Sequence, residues 1–194
     1  AEVKAESDYC VTSGNAERVI RAIPADREIL FLPDMFLGTY LQRVTGRTMH
    51  IWAGECHVHA GIRPSDISQV RAAHPDADFL IHPECGCSTS VMEYVASGDV
   101  PSEGVHMLST GGMLKYAEEH RGKGGTVIMA TEIGMLHPLQ LAAPDVDFIA
   151  ANERASCRYM KMITLSNLRD ALRDLKHEVK VPADIAQRAR RPIE

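Results

Sequence analysis

The stretch HPDADFLIHPEC, residues 74–85, decides the fold. Its centre, Asp78–His82, is short and nearly all apolar, and the polar turn His82-Pro83-Glu84 closes it. A strand covered on both faces reads this way, because neither side needs residues that water can solvate. Runs of the same kind recur at Glu28–Leu32, Thr48–Trp52, Val105–Leu108, Thr126–Ala130 and Asp147–Ala150. Between them lie segments of helical period: Ala16–Ala22, Met35–Val44, Ser65–Ala73, Val91–Ala96, Met113–His120 and Met135–Leu141. This alternation predicts parallel sheets in α/β layers. The phrases PDMFLG, HPDADFLIHPE and APDVDFIA hint at a repeated αβ unit. After Asn152 the alternation stops. Leu165, Leu168, Leu172 and Leu175 recur at helical spacing, and a final helix is expected from Pro182.

The 194 residues, 45% of them hydrophobic, can bury one large core or two small ones. A net charge of −5 argues against a nucleic-acid partner, whose surface calls for a basic protein. No apolar run approaches the roughly 20 residues of a membrane span, and the mixed, charged N-terminus is unlike a signal peptide. Five cysteines, an odd number outside any short secreted framework, favour a reducing cytoplasm where they bind metal, react or are buried. The chain opens at Ala1 in AEVKAESDYC, which reads as the middle of a domain.

The polar residues that could carry chemistry sit where the strands end, and in parallel α/β folds that edge is where ligands bind. Thr12-Ser13-Gly14-Asn15 and Ser109-Thr110-Gly111-Gly112 offer hydroxyls at helix starts, which suit an anion and equally suit helix capping. His82-Pro83-Glu84 sets an imidazole beside a carboxylate with proline fixing the turn, an arrangement for acid–base work or for a solvated strand end. Thr131-Glu132-Ile133-Gly134 follows another strand in the same way. Cys56-His57-Val58-His59 gathers soft and imidazole donors for zinc or iron. Cys85-Gly86-Cys87 lacks the second pair of a zinc ribbon. Cys157 is expected at the start of the long helix, where the helix terminus and nearby cations would lower its pKa.

Taken together, the stretches VTSGNAERV, LPDMFLGTYLQRVTGR, WAGECHVH, HPDADFLIHPEC, LSTGGM, ATEIGMLH and SCRYMKMITLSNL resemble the quinolinate synthase family in order and spacing. The resemblance implies three-layer αβα domains with short parallel sheets, repeated in a pseudo-threefold arrangement around a cavity and incomplete here. It divides the chain into the end of a second domain (residues 1–58), a third domain (59–157) and a helical segment (158–194) that packs on a first domain. It implies a [4Fe–4S] cluster held in part by Cys56 and Cys157, with His59 beside it and with Cys10, Cys85 and Cys87 not ligands. Substrate would meet Ser13, His82, Pro83, Glu84, Ser109 and Thr110, with Glu84 transferring protons and His82 orienting it. The implied reaction condenses iminoaspartate with dihydroxyacetone phosphate, and an iminoaspartate-producing enzyme would be the partner upstream.

The third cluster cysteine and a His and Tyr pair of the family find no match here. The chain is therefore expected to be a fragment that is inactive alone. The segment from Cys85 to Leu108 is longer than in compact members of the family. Two rival readings rest on the residues alone. One is a zinc-dependent hydrolase using Cys56, His57 and His59 with Glu84 as base. The other is a non-catalytic α/β module that binds a small phosphorylated anion.

Overall fold

The computed structural model describes residues 1–98 and 102–194. In chain order the elements are α1 (Glu2–Ala5), α2 (Ala16–Ala22), β1 (Leu30–Phe31), α3 (Met35–Thr45), β2 (His50–Ile51), α4 (His57–Ala60), α5 (Pro64–Ala73), β3 (Asp78–Ile81), α6 (Ser88–Ser97), β4 (Val105–Met107), α7 (Thr110–His120), β5 (Thr126–Ala130), α8 (Leu136–Ala142), β6 (Asp147–Ala150), α9 (Leu165–Asp174) and α10 (Ala183–Arg190). Short 3₁₀ turns at Ile133–Met135 and Met160–Met162 complete the series. The chain divides into two compact units, Ser13–Ser156 and a smaller one made of Ala1–Thr12 with Cys157–Glu194.

In the larger unit a parallel sheet runs in the order β4-β3-β5-β6. Its two central strands have water on neither face: Phe79, Leu80, Ile81, Ile128, Met129 and Ala130 are fully buried. Successive side chains point to opposite faces. Leu80, Val127, Met129 and Phe148 meet Met113, Tyr116 and Ala117 of α7 and Leu139 of α8 in one hydrophobic cluster. Phe79 turns to the other face, where the guanidinium of Arg71 in α5 lies 5.8 Å from its ring. Helices on both faces of a parallel sheet give the expected three layers, and each fully buried Leu or Ile contributes about 1.5–3 kcal/mol.

The second sheet is smaller than the sequence suggests. Runs of strand composition cover Glu28–Leu32 and Thr48–Trp52, yet only Leu30–Phe31 and His50–Ile51 pair. With a single neighbour each, these strands form a short ladder, and Leu30 and Trp52 are left exposed. Helix α3 is bounded by its caps: Asp34 accepts the Leu37 N–H at 2.8 Å, and Gly46 ends it with φ 70°. Helices α6 and α7 start three residues earlier than their apolar periodicity implies, at Ser88 and Thr110, because polar residues fill the first turn of each. Residues 99–101 of the Cys85–Leu108 segment lie outside the described residues.

In the smaller unit α1 packs against α10, with Glu6 paired to Arg188 at 2.6 Å and the Cys10 N–H donating to the Pro192 carbonyl at 2.7 Å. Helix α9 begins at a Thr164 cap and carries the expected leucine stripe, but Leu165, Leu168 and Leu172 are exposed. Cys157 is not at the start of that helix: it precedes the Met160–Met162 turn, so the helix-terminus field expected for its thiol belongs to Thr164 and its neighbours instead. Among the described residues no helix is long and apolar enough to cross a membrane.

Leu80→Ala should cost about 2–5 kcal/mol, because the middle of the sheet cannot collapse around the void. A lower denaturant midpoint at unchanged m-value is the expected result; an unchanged midpoint would show that the core of the larger unit lies elsewhere.

Candidate active site

Register aligns the strand ends. Ile81 pairs with Met107 on one side and with Ala130 on the other, so the residues that follow these three strands emerge at one edge. The His82 N–H extends the ladder to the Ala130 carbonyl at 3.1 Å, and the Leu108 N–H reaches the Ile81 carbonyl at 2.9 Å. His82-Pro83-Glu84, Ser109-Thr110 and Thr131 thus share an edge because the sheet is parallel. Ser109 uses its hydroxyl to accept the Gly112 N–H at 3.2 Å, the capping role that its position also allowed, and Thr110 is exposed beside it.

His82 is buried and makes two contacts that together assign its proton. Nδ1 lies 3.3 Å from the Glu84 N–H and accepts from it, so the ring proton sits on Nε2, 3.3 Å from the Ser13 hydroxyl. Ser13 comes from 69 residues away in sequence. Burial, with the His59 ring beside it, pushes the His82 imidazole down from 6.5 to about 4, against the opposing pull of Glu84. It is therefore neutral near pH 7.

The structure places His59 against His82 and Glu84. The His59 and His82 rings stack with centroids 4.4 Å apart and planes 2° from parallel. His59 Nε2 lies 2.8 Å from the Thr131 hydroxyl, and Nδ1 faces Glu84 Oε2 at 3.4 Å. That distance is long for a hydrogen bond, and Nδ1 has no other partner among the described residues. The His59 imidazole holds the Glu84 carboxyl below the usual range against partial burial, and His82 adds to the effect.

His59, His82 and Glu84 bring a donor set for a divalent metal, with ligand atoms within 4.8 Å of one another. The stack opposes that use. A metal must lie near the plane of each ring that binds it, and parallel rings 4.4 Å apart share no such plane. The zinc-hydrolase set fails on a helix: His57 and His59 are two residues apart on α4, where such neighbours face different ways. His57 is exposed and lines a cavity of about 430 Å³ with Arg63, Asp66, Asn152, Arg154 and Ser156.

Three cysteines remain thiols: Cys10, Cys56 and Cys157, all partly buried. Cys85 and Cys87 are fully buried and joined in a disulfide across Gly86. The Cys56 loop is tied to the start of α3. Its N–H donates to Asp34 Oδ2 at 3.2 Å, and the Gly54 carbonyl accepts the Met35 N–H at 2.8 Å. A side chain at Gly54 would collide with the Pro33 carbonyl, so only glycine lets the loop approach this closely. Cys56 thus presents a thiol on a braced loop, the donor type an iron–sulfur cluster needs, and the Cys157 thiol supplies the same chemistry in the smaller unit.

Comparison with known proteins covers the whole chain. The family described as Quinolinate synthetase A protein matches residues 1–194. Curated relatives named quinolinate synthase include one from Mycobacterium sp. (strain KMS), 54% identical over 195 aligned positions, of which the chain spans 57% of the length. Those of Mycobacterium tuberculosis and Mycolicibacterium paratuberculosis are 52% and 50% identical, and the chain, matched over 100% of its own length, spans 55% of each.

Because the folded His82 pKa is depressed, this group stabilises the fold above pH 6.5 and loses that contribution as pH falls toward about 4, where the folded state also takes up the proton. A histidine NMR titration should show His82 still neutral at pH 5.5. An ordinary midpoint near 6.5 would contradict its burial against His59.

Proposed function

The chain belongs to the quinolinate synthetase A family, and from that premise we propose that it forms the part of a quinolinate synthase carrying Ser13, His82 and Glu84. The reaction joins iminoaspartate to dihydroxyacetone phosphate and releases quinolinate, phosphate and two waters. The observation that carries this reading is the contact of Ser13 with His82, 69 residues away in sequence, which brings Ser13 to the His82-Pro83-Glu84 turn at the C-terminal edge of one parallel sheet.

Glu84 is the proton-transfer residue. Its carboxylate is half-buried, ionised through His59, and mounted on a turn that Pro83 fixes. His82 presents a neutral imidazole whose Nε2–H points to Ser13 and can donate to a substrate oxygen in its place. Ser13, Ser109 and Thr110 hold carboxylate or phosphate groups, with the first turn of α7 supplying N–H groups behind them. Two anionic substrates need such donors, since a buried anion without hydrogen bonds costs several kcal/mol.

Cys56 and Cys157 are the residues of this chain that would hold a [4Fe–4S] cluster. When bound, the cluster supplies a Lewis acid for dehydration. We extend the same reading to a pseudo-threefold set of αβα domains, with residues 1–58, 59–157 and 158–194 falling into the second domain, the third domain and a segment that packs on the first. The apolar stripe of α9 suits that packing, because a stripe of leucines left in water is unfavourable. The proposed setting is the cytoplasm, beside an enzyme that forms iminoaspartate.

Glu84→Gln in the full-length, cluster-loaded protein should lower kcat by about 100-fold or more while iron content stays unchanged, since glutamine keeps the shape and loses the proton. Near-normal kcat in that variant would return Glu84 to the role of a solvated strand end.

A further inference from the structure

The segment Thr131-Glu132-Ile133-Gly134 follows β5 at the same edge as the site, yet the reaction above gives it no part. Thr131 is buried to 2% exposure, and its hydroxyl meets Nε2 of His59 at 2.8 Å. We propose that Thr131 is a positioning residue for proton transfer at Glu84: its hydroxyl donates to His59 Nε2, keeps the ring proton on Nδ1, and so aims that N–H at Glu84 Oε2. The proposal rests on Glu84 being the proton-transfer residue.

Two restraints on the His59 ring divide the work. Stacking on His82, with planes 2° apart, sets the plane of the ring but not its rotation within that plane. The contact to Thr131 sets the rotation. Were the roles reversed, with Nε2–H donating to Thr131, a neutral His59 would turn the bare lone pair of Nδ1 toward a carboxylate oxygen 3.4 Å away. Two acceptors at that range repel, and nothing else among the described residues would satisfy Nδ1. A donating threonine removes the conflict. The ionisable groups facing Glu84 are His59 from α4, His82 from the end of β3 and Asp34 from the cap of α3. Of these, His59 has the largest lowering effect on the Glu84 carboxyl, and Thr131 controls which nitrogen it offers.

The test is NMR on the full-length protein with labelled histidine nitrogens and glutamate carboxyls, in wild type, Thr131→Val and Thr131→Ser. Wild type should show His59 protonated on Nδ1 with bare Nε2, and a Glu84 midpoint below 4.5. Valine keeps the volume and removes the donor. It should deplete the Nδ1–H form and raise the Glu84 midpoint. Serine should restore both. An unchanged His59 tautomer and Glu84 midpoint in the valine variant would overturn the proposal. So would Nε2–H in the wild type, a reading that stands even if the valine variant does not fold. Neither readout needs turnover, so an active Glu84→Gln enzyme would refute the role of Glu84 without touching the assignment of the His59 proton.

Discussion

Parallel pairing of β3 with β4 and β5 governs where the chemistry of this chain sits. In a parallel sheet every strand ends at the same edge, so the residues after Ile81, Met107 and Ala130 are brought together whatever their separation in sequence. The two central strands hold that register because they are apolar on both faces and helices cover both sides. Shifting one strand by a residue would turn its buried side chains to the opposite layer and carry its polar turn away from the others. The same burial that fixes the sheet therefore fixes the address of His82, Glu84, Ser109 and Thr131.

Burial also sets the charge state of the site. His82, almost wholly buried and stacked on His59, is held neutral well below its ordinary range. A carboxylate in the same place would be costly alone, yet Glu84 stays ionised because His59 faces it. The outcome is a neutral imidazole next to an anionic carboxylate. Asp34 lies within range to oppose the charge on Glu84, and its own carboxyl is raised, chiefly by burial, while its oxygens serve the Leu37 and Cys56 N–H groups.

The sequence disclosed those features that depend on local pattern. Strands β5 and β6 and helix α2 have the bounds that their apolar runs and helical period predict, and the parallel α/β class follows from the alternation. Strands β1 and β2 were overread, because strand composition says nothing about how many neighbours a strand will find. Helix α4 was missed, since four residues are too few to show a period. Within the site, His82 and Glu84 were visible as polar residues at the end of an apolar run, and Ser13 by its hydroxyl just before a helix start. The His59–Thr131 contact spans 72 residues and was not, although Thr131 had been marked by its place after a strand. Cys157 was misplaced relative to α9 because a leucine stripe fixes the period of a helix and leaves its start to the cap at Thr164.

The proposed reaction needs its substrate at the edge of the four-stranded sheet, and not in the cavity beside α4. Titrating quinolinate into the ¹⁵N-labelled protein, with backbone amide shifts as the readout, tests that placement most directly. Saturable shifts are expected at Ser13, His59, His82, Glu84, Ser109 and Thr131. Shifts confined to Arg63, Asp66, Asn152 and Arg154, with the sheet edge silent, would contradict it.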